Sequence, residues 1–189
     1  MSPEVLSLGE ETVMAFLEEE PALADFRFGI EDTLRQAPHT LDAQGEALMA
    51  QAGLALSQPN QIYSLFANAS IPWPSVTLSD GTEARLNQAG YSRWRGTANR
   101  EDRKTVFDTF WGAWGQYENG MGATLNAQVQ SAIFRARARN FDSVLQRNMF
   151  DDALPPEIYT QLVTQVNDAL PVFHRYLELR GRMLGIDDL

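Results

Sequence analysis

The sequence has 189 residues, 44% of them apolar and 10% aromatic, with a formal net charge of -10 and no cysteine. That apolar share is enough for a buried core, no apolar run approaches the roughly 18 residues of a membrane-spanning helix, and no disulfide framework can exist. The acidic balance repels phosphate backbones, which argues against general nucleic-acid binding and makes solubility the simplest use of the charge.

The start, Met1-Ser2-Pro3-Glu4, lacks the basic and apolar regions of a secretory signal, and a reducing cytoplasm fits a chain without thiols. Apolar spacing then predicts helices over most of the length. Glu4 to Glu19 carries Val5, Leu8, Val13, Phe16 and Leu17 at helical steps, and Pro21 starts a second segment with Phe26, Phe28, Ile30 and Leu34, the two reading as an antiparallel pair. Asp42 is placed to cap a third helix through Ala50, which Gly53 would end in a left-handed turn, and Ser57-Gln58-Pro59 would open a fourth carrying Ile62, Leu65 and Phe66. One stretch departs from helix. Val76 to Ser79 and Thr82 to Leu86 flank Asp80-Gly81, a dipeptide favoured in tight turns whose two central residues take positive φ, and the pattern predicts a small solvent-facing β-hairpin near 76–86.

In the second half, Phe107, Phe110, Trp111, Trp114, Tyr117, Met121, Leu125, Val129 and Ile133 define one apolar stripe on a helix from about Arg100 to Arg139. The stripe is expected to be buried, with a break or kink near Gly120. Gly112, Gly115, Gly120 and Gly122 each cost about 1 kcal/mol against alanine in a helix interior, so neighbouring elements must support it. Pro155 and Pro156 open the last helix, striped by Ile158, Leu162, Val166, Leu170, Phe173, Leu177 and Leu184, with a kink expected at Pro171 and an end at Gly185. Residues 186–189 would be a tail or the beginning of something more. The fold class is therefore all-α: a helical array of long amphipathic helices with one small β-hairpin. The softest boundary lies between Gly90 and Ala98, dividing 1–95 from 96–189.

Chemistry is sparse. His174 and Glu178 share a helix face one turn apart, but a zinc site normally takes three protein ligands or more, so a surface or boundary pair is the simpler reading. His39 is followed by Thr40 where a His-Glu-x-x-His motif needs glutamate, and Ala43 stands where it needs its second histidine. No serine lies in a Gly-x-Ser-x-Gly setting, and the Gly-x-Gly at Gly120 to Gly122 follows no strand. Arg135, Arg137 and Arg139 are more informative. At 100° per residue Arg135 and Arg139 lie within about 40° of each other while Arg137 points the other way. A solvated, salt-bridged surface is the simpler account. The sharper one is that Arg137, or the Arg135–Arg139 pair, grips acidic side chains or a peptide carboxylate, with Asn140 and Phe141 completing the contact.

Taken in order, LEEEPALADF (Leu17 to Phe26), LRQAPHTL (Leu34 to Leu41), FANASI (Phe66 to Ile71), ARARNF (Ala136 to Phe141), and FHRY through LGIDDL (Phe173 to Leu189) resemble the oligoendopeptidase F family of zinc metallopeptidases. The resemblance spans nearly the whole chain. It implies a mostly helical cytoplasmic peptidase that cuts short peptides in a deep channel between two halves, using zinc held by His-Glu-x-x-His and a downstream glutamate. It also implies that 1–95 is the family's amino-terminal-type helical region and 96–189 a long-helix region leading toward the zinc domain. The sequence departs from the family by stopping before that motif, and its start falls inside the family's amino-terminal portion. The expectation is thus a fragment with no catalytic or metal residues and no cofactor of its own, zinc belonging to the intact parent. Its expected partners are the missing catalytic half and short peptides, with no nucleic acid and no membrane, and with Arg137, Arg139 and Asn140 as candidate contacts. Apolar faces meant for the missing half would be exposed and could drive self-association. The alternatives are a freestanding helical peptide- or protein-binding module and, last, an acidic nucleic-acid mimic resting on charge alone.

Overall fold

The computed structural model describes residues 3–186. Among them are nine α-helices and one two-stranded antiparallel sheet. In chain order they are α1 (Pro3–Leu8), α2 (Glu10–Glu19), α3 (Arg27–Arg35), α4 (Ala43–Leu65), β1 (Ser75–Thr77), β2 (Glu83–Arg85), α5 (Gln88–Trp94), α6 (Arg100–Gly115), α7 (Glu118–Ala138), α8 (Val144–Asp151) and α9 (Pro156–Leu184). The architecture is all-α with a single hairpin. Two compact units divide it: one takes the chain up to Thr40 and from Arg135 on, the other Leu41–Phe134. The reading of the last three residues as a tail lies outside the described residues.

In the first unit the single helix expected over Glu4 to Glu19 is broken at Gly9, whose φ of 82° cannot continue a right-handed ladder. Val13 and Leu17, four apart and so on one face of α2, are its buried residues. The Glu20 carboxylate accepts from the Ala22 N–H, and Pro21 leads through a 3₁₀ turn, Pro21–Phe26, into α3. At the other end, α9 runs unbroken past Pro171 to Gly185, which takes φ 64° and lets the Ile186 N–H donate to the Gly181 carbonyl at 3.0 Å. Its stripe is not buried. Ile158, Leu162, Val166, Phe173 and Leu184 are all exposed.

In the second unit Asp42 caps α4 as its position predicts, accepting from the Gly45 N–H at 2.7 Å. The helix does not stop at Gly53 or restart at Pro59. A helical glycine costs only about 1 kcal/mol, an internal proline forfeits one ladder bond, and Pro59 is buried, so packing outweighs the local signals. A π-helical turn, Phe66–Ser70, then ends the run.

The hairpin pairs Val76 with Ala84, and its tip differs from a two-residue Asp-Gly turn. Gly81 has φ 84° and Asp80 does not share that region. The Gly81 N–H donates to the Leu78 carbonyl and the Leu78 N–H to the Thr82 carbonyl, both at 2.9 Å, so Ser79 and Asp80 make the turn and the glycine closes it. Nor does the hairpin simply face solvent. Leu78, Ala84 and Leu86, at two-residue spacing, point inward and form the core with Val106 and Phe110 of α6. Asp102 ties the tip to the start of α6, accepting from the Ser79 N–H at 3.0 Å and the Ser79 hydroxyl at 2.7 Å.

The long helix expected from Arg100 to Arg139 is two helices, and the break expected near Gly120 falls a few residues earlier, between Gly115 and Glu118. Its stripe is split as well. Of its residues Phe110 is buried, whereas Phe107, Trp111, Leu125 and Val129 are exposed.

Candidate functional site

The arginine-rich end of α7 is where residues from both ends of the first unit meet. Helix α7 closes in a left-handed cap: Asn140 takes φ 58°, its N–H donates to the Arg137 carbonyl at 3.1 Å, and the Phe141 N–H donates to the Ala136 carbonyl at 3.0 Å. This reversal carries Phe141 inward, where it is buried and stacks on the His39 ring at 3.7 Å with an 8° tilt. His39 Nδ1 lies 2.7 Å from the Arg139 carbonyl, and because a carbonyl can only accept, Nδ1 carries the proton. Arg139 returns the contact, Nη1 donating to the His39 carbonyl at 3.1 Å. Phe150 meets both rings edge-on, and the Arg35 guanidinium lies 3.8 Å over its face while donating to its carbonyl at 2.7 Å. Asp32 completes the knot. Arg35 donates to Asp32 from Nε at 3.0 Å, and this hydrogen bond, ahead of the one from Gln36, holds the Asp32 carboxyl below the usual carboxylate range despite some desolvation.

Of the three candidate contact residues, the structure places Arg139 within this seam and gives Asn140 the capping position. Arg137, on the opposite side of the helix, is exposed. His174 and Glu178 both lie exposed on α9.

A second feature lies within the Leu41–Phe134 unit, where a cleft of about 600 Å³ opens between the end of α4 and the α6–α7 pair. Tyr63, Phe110, Trp111, Trp114, Met121 and Leu125 supply its apolar surface. The Tyr63 and Trp114 rings lie 6.3 Å apart and nearly parallel, and Trp73 backs both Phe110, at 5.3 Å, and Trp114, at 5.5 Å. Asn60, Gln88, Thr124 and Gln128 add uncharged polar groups. The tyrosine is the single ionisable side chain among the lining residues. The lining therefore offers apolar surface, neutral polar groups and one phenol. Sequence reasoning missed the cleft because it treated Trp111 and Trp114 as parts of one buried stripe, and no spacing along the chain sets Tyr63 of α4 opposite them.

Among the described residues no group of three or more histidine, cysteine, aspartate or glutamate side chains could hold a metal ion. His39 donates from Nδ1 to a carbonyl and stacks on Phe141, and it belongs to no such group of donors among the described residues. No described helix is long and apolar enough to cross a membrane.

Comparison with known proteins gives one consistent result. A family model described as oligopeptidase F matches residues 4–72. The oligopeptidase PepF of Bacillus subtilis is 33% identical over 187 residues, covering 99% of this chain and 28% of that protein. The group B oligopeptidase PepB of Streptococcus agalactiae is 30% identical over 187 residues, with 99% and 31% covered. The crystal structure of oligoendopeptidase F from Enterococcus faecium superimposes with a TM-score of 0.89 at 28% identity, covering 99% of this chain and 37% of that one. Sequence and fold thus agree on the class, a helical segment of the oligopeptidase type. Along 99% of its length the chain is similar to oligopeptidases of the oligoendopeptidase F type, and it spans about a third of the length of the relatives it matches.

Proposed function

We propose that the chain is a non-catalytic, channel-wall segment of an oligoendopeptidase F-like zinc metallopeptidase that hydrolyses short peptides in the cytoplasm when intact. The observation that carries this reading is the match along 99% of the chain to relatives of which it spans only 28% and 31%. The residues do not fit the zinc of such an enzyme, since the described part offers no cluster of three suitable donors. The metal, its ligands and the general base would belong to the stretch of the relatives that this chain does not span. What these residues contribute is a wall: rigid helices that limit entry by size and present neutral and apolar surface to an extended peptide. Exposed apolar residues of α9, such as Phe173 and Tyr176, would pack on the catalytic half, and Arg137, with Arg139 and Asn140 at the same end of α7, would lie toward a peptide carboxylate or that same half. Self-association through these faces is the corresponding behaviour of the isolated chain.

The reading frame downstream of codon 189 tests the proposal. Continuation into His-Glu-x-x-His with a later glutamate is the expected result, and a stop codon would overturn it. The second reading, a freestanding peptide-binding module without catalysis, draws on the Tyr63–Trp114 cleft and would be favoured by that stop.

A further inference from the structure

We propose that the cleft between α4 and the α6–α7 pair is a binding site for a large apolar side chain carried by an uncharged peptide segment; this deepens the peptide-handling reading above and rests on it. Its volume of about 600 Å³ has the size of a small-ligand pocket, enough for an aromatic side chain and the flanking backbone. Charge decides the class of occupant. The chain carries 15 basic and 25 acidic residues, yet no aspartate, glutamate, lysine, arginine or histidine lines the cleft, so a charged group entering it would lose water and find no counter-charge.

The polar groups that are present suit a peptide backbone. Asn60, Gln88 and Gln128 each offer both an amide donor and a carbonyl acceptor, as a peptide unit does. The Trp111 indole N–H already donates to the Tyr91 hydroxyl at 3.3 Å, so this tryptophan offers the cleft an apolar surface with no unmet donor. Phe110 is buried, fixed between Trp73 and Tyr91 at 5.3 and 4.1 Å, and gives the site a rigid base. Tyr63, Trp111 and Leu125, by contrast, leave 47%, 48% and 67% of their surface in water, apolar area that an occupant would cover. A preformed base with an exposed apolar rim lets a ligand bind at little ordering cost.

The test uses the 189-residue chain and two blocked peptides, N-acetyl-Gly-Phe-Gly-amide and N-acetyl-Gly-Asp-Gly-amide, with affinity read by calorimetry and by tryptophan fluorescence. The phenylalanine peptide is expected to bind and the aspartate peptide not. Leu125→Arg, at an exposed position, should weaken the phenylalanine peptide about tenfold or more without unfolding the chain, while Leu54→Arg, on α4 and outside the cleft, should change nothing. Equal binding of the two peptides, no binding of either at millimolar concentration, or an unchanged affinity in Leu125→Arg overturns the proposal. The two readings fail separately. Binding with the expected variant pattern in a protein whose frame stops at codon 189 leaves the cleft standing without the channel-wall reading, and a frame that continues into the zinc motif beside an inert cleft does the reverse.

Discussion

Phe110 in α6 and Phe173 in α9 occupy equivalent places on helical apolar stripes, yet Phe110 is 4% exposed and Phe173 53%. The difference is in what each helix meets. Around Phe110 the hairpin brings Leu78, Ala84 and Leu86 to the same face, and Tyr91, Trp73 and Trp114 close over it. Along α9 most of the apolar side chains, Phe173 among them, remain in water, and Leu170 and Leu177 are half-buried. An amphipathic pattern states that a face will be covered when a partner is present; it does not say that the partner lies in the same stretch of chain.

The largest expected effect follows from that contrast. Phe110→Ala should destabilise the chain by about 3–5 kcal/mol through lost burial and a cavity, whereas Phe173→Ala should stay within about 0.5 kcal/mol. Urea midpoints of the two variants measure this directly, and similar losses would break the comparison. Next in size is His39→Ala, which removes the bond to the Arg139 carbonyl and the stack on Phe141 and should cost about 2 kcal/mol in the same assay; Arg137→Ala should be nearly silent. A silent His39 would mean that the seam does not hold the first unit together.

A smaller effect, of opposite sign, is expected at Ala153, which holds φ 54° in the cap that ends α8. Ala153→Gly should stabilise by about 1 kcal/mol, seen as a raised Tm, because glycine takes that conformation without steric penalty. The smallest concerns Asp32, whose folded pKa lies below its ordinary value because of the Arg35 hydrogen bond. A depressed carboxylate contributes stability that is fully present above the unfolded pKa, 3.8, and is lost as pH falls below it toward the folded value. The stability gap between the native chain and Asp32→Asn should therefore be constant near neutrality and shrink only in acid. A gap that shrinks between pH 5 and pH 7 would point to a different group.

Much of this was legible in residues. The hairpin near 76–86, the Asp42 cap and the Gly185 stop each rest on one local signal with one physical cause, and the structure follows all three. The readings that differ turned on packing. Gly53 and Pro59 look like a helix end and a helix start, but neither penalty exceeds what a buried Pro59 and a continuous α4 return. Asn140 read as a surface contact is also the left-handed cap that swings Phe141 onto His39, a pairing 102 residues apart that no spacing rule reports. The cleft was hidden for the same reason, since Tyr63 and Trp114 become neighbours through tertiary structure alone. The ordered stretches that resemble oligoendopeptidase F carried further than any single residue, because order along a chain survives where local signals conflict.

The central claim is that the hydrolytic groups lie outside these residues, and the most direct measurement is cleavage of an internally quenched short peptide by the purified 189-residue chain, with added zinc and again with chelator. The account predicts no zinc-dependent turnover in either condition. Turnover that appears with zinc and disappears with chelator would contradict it.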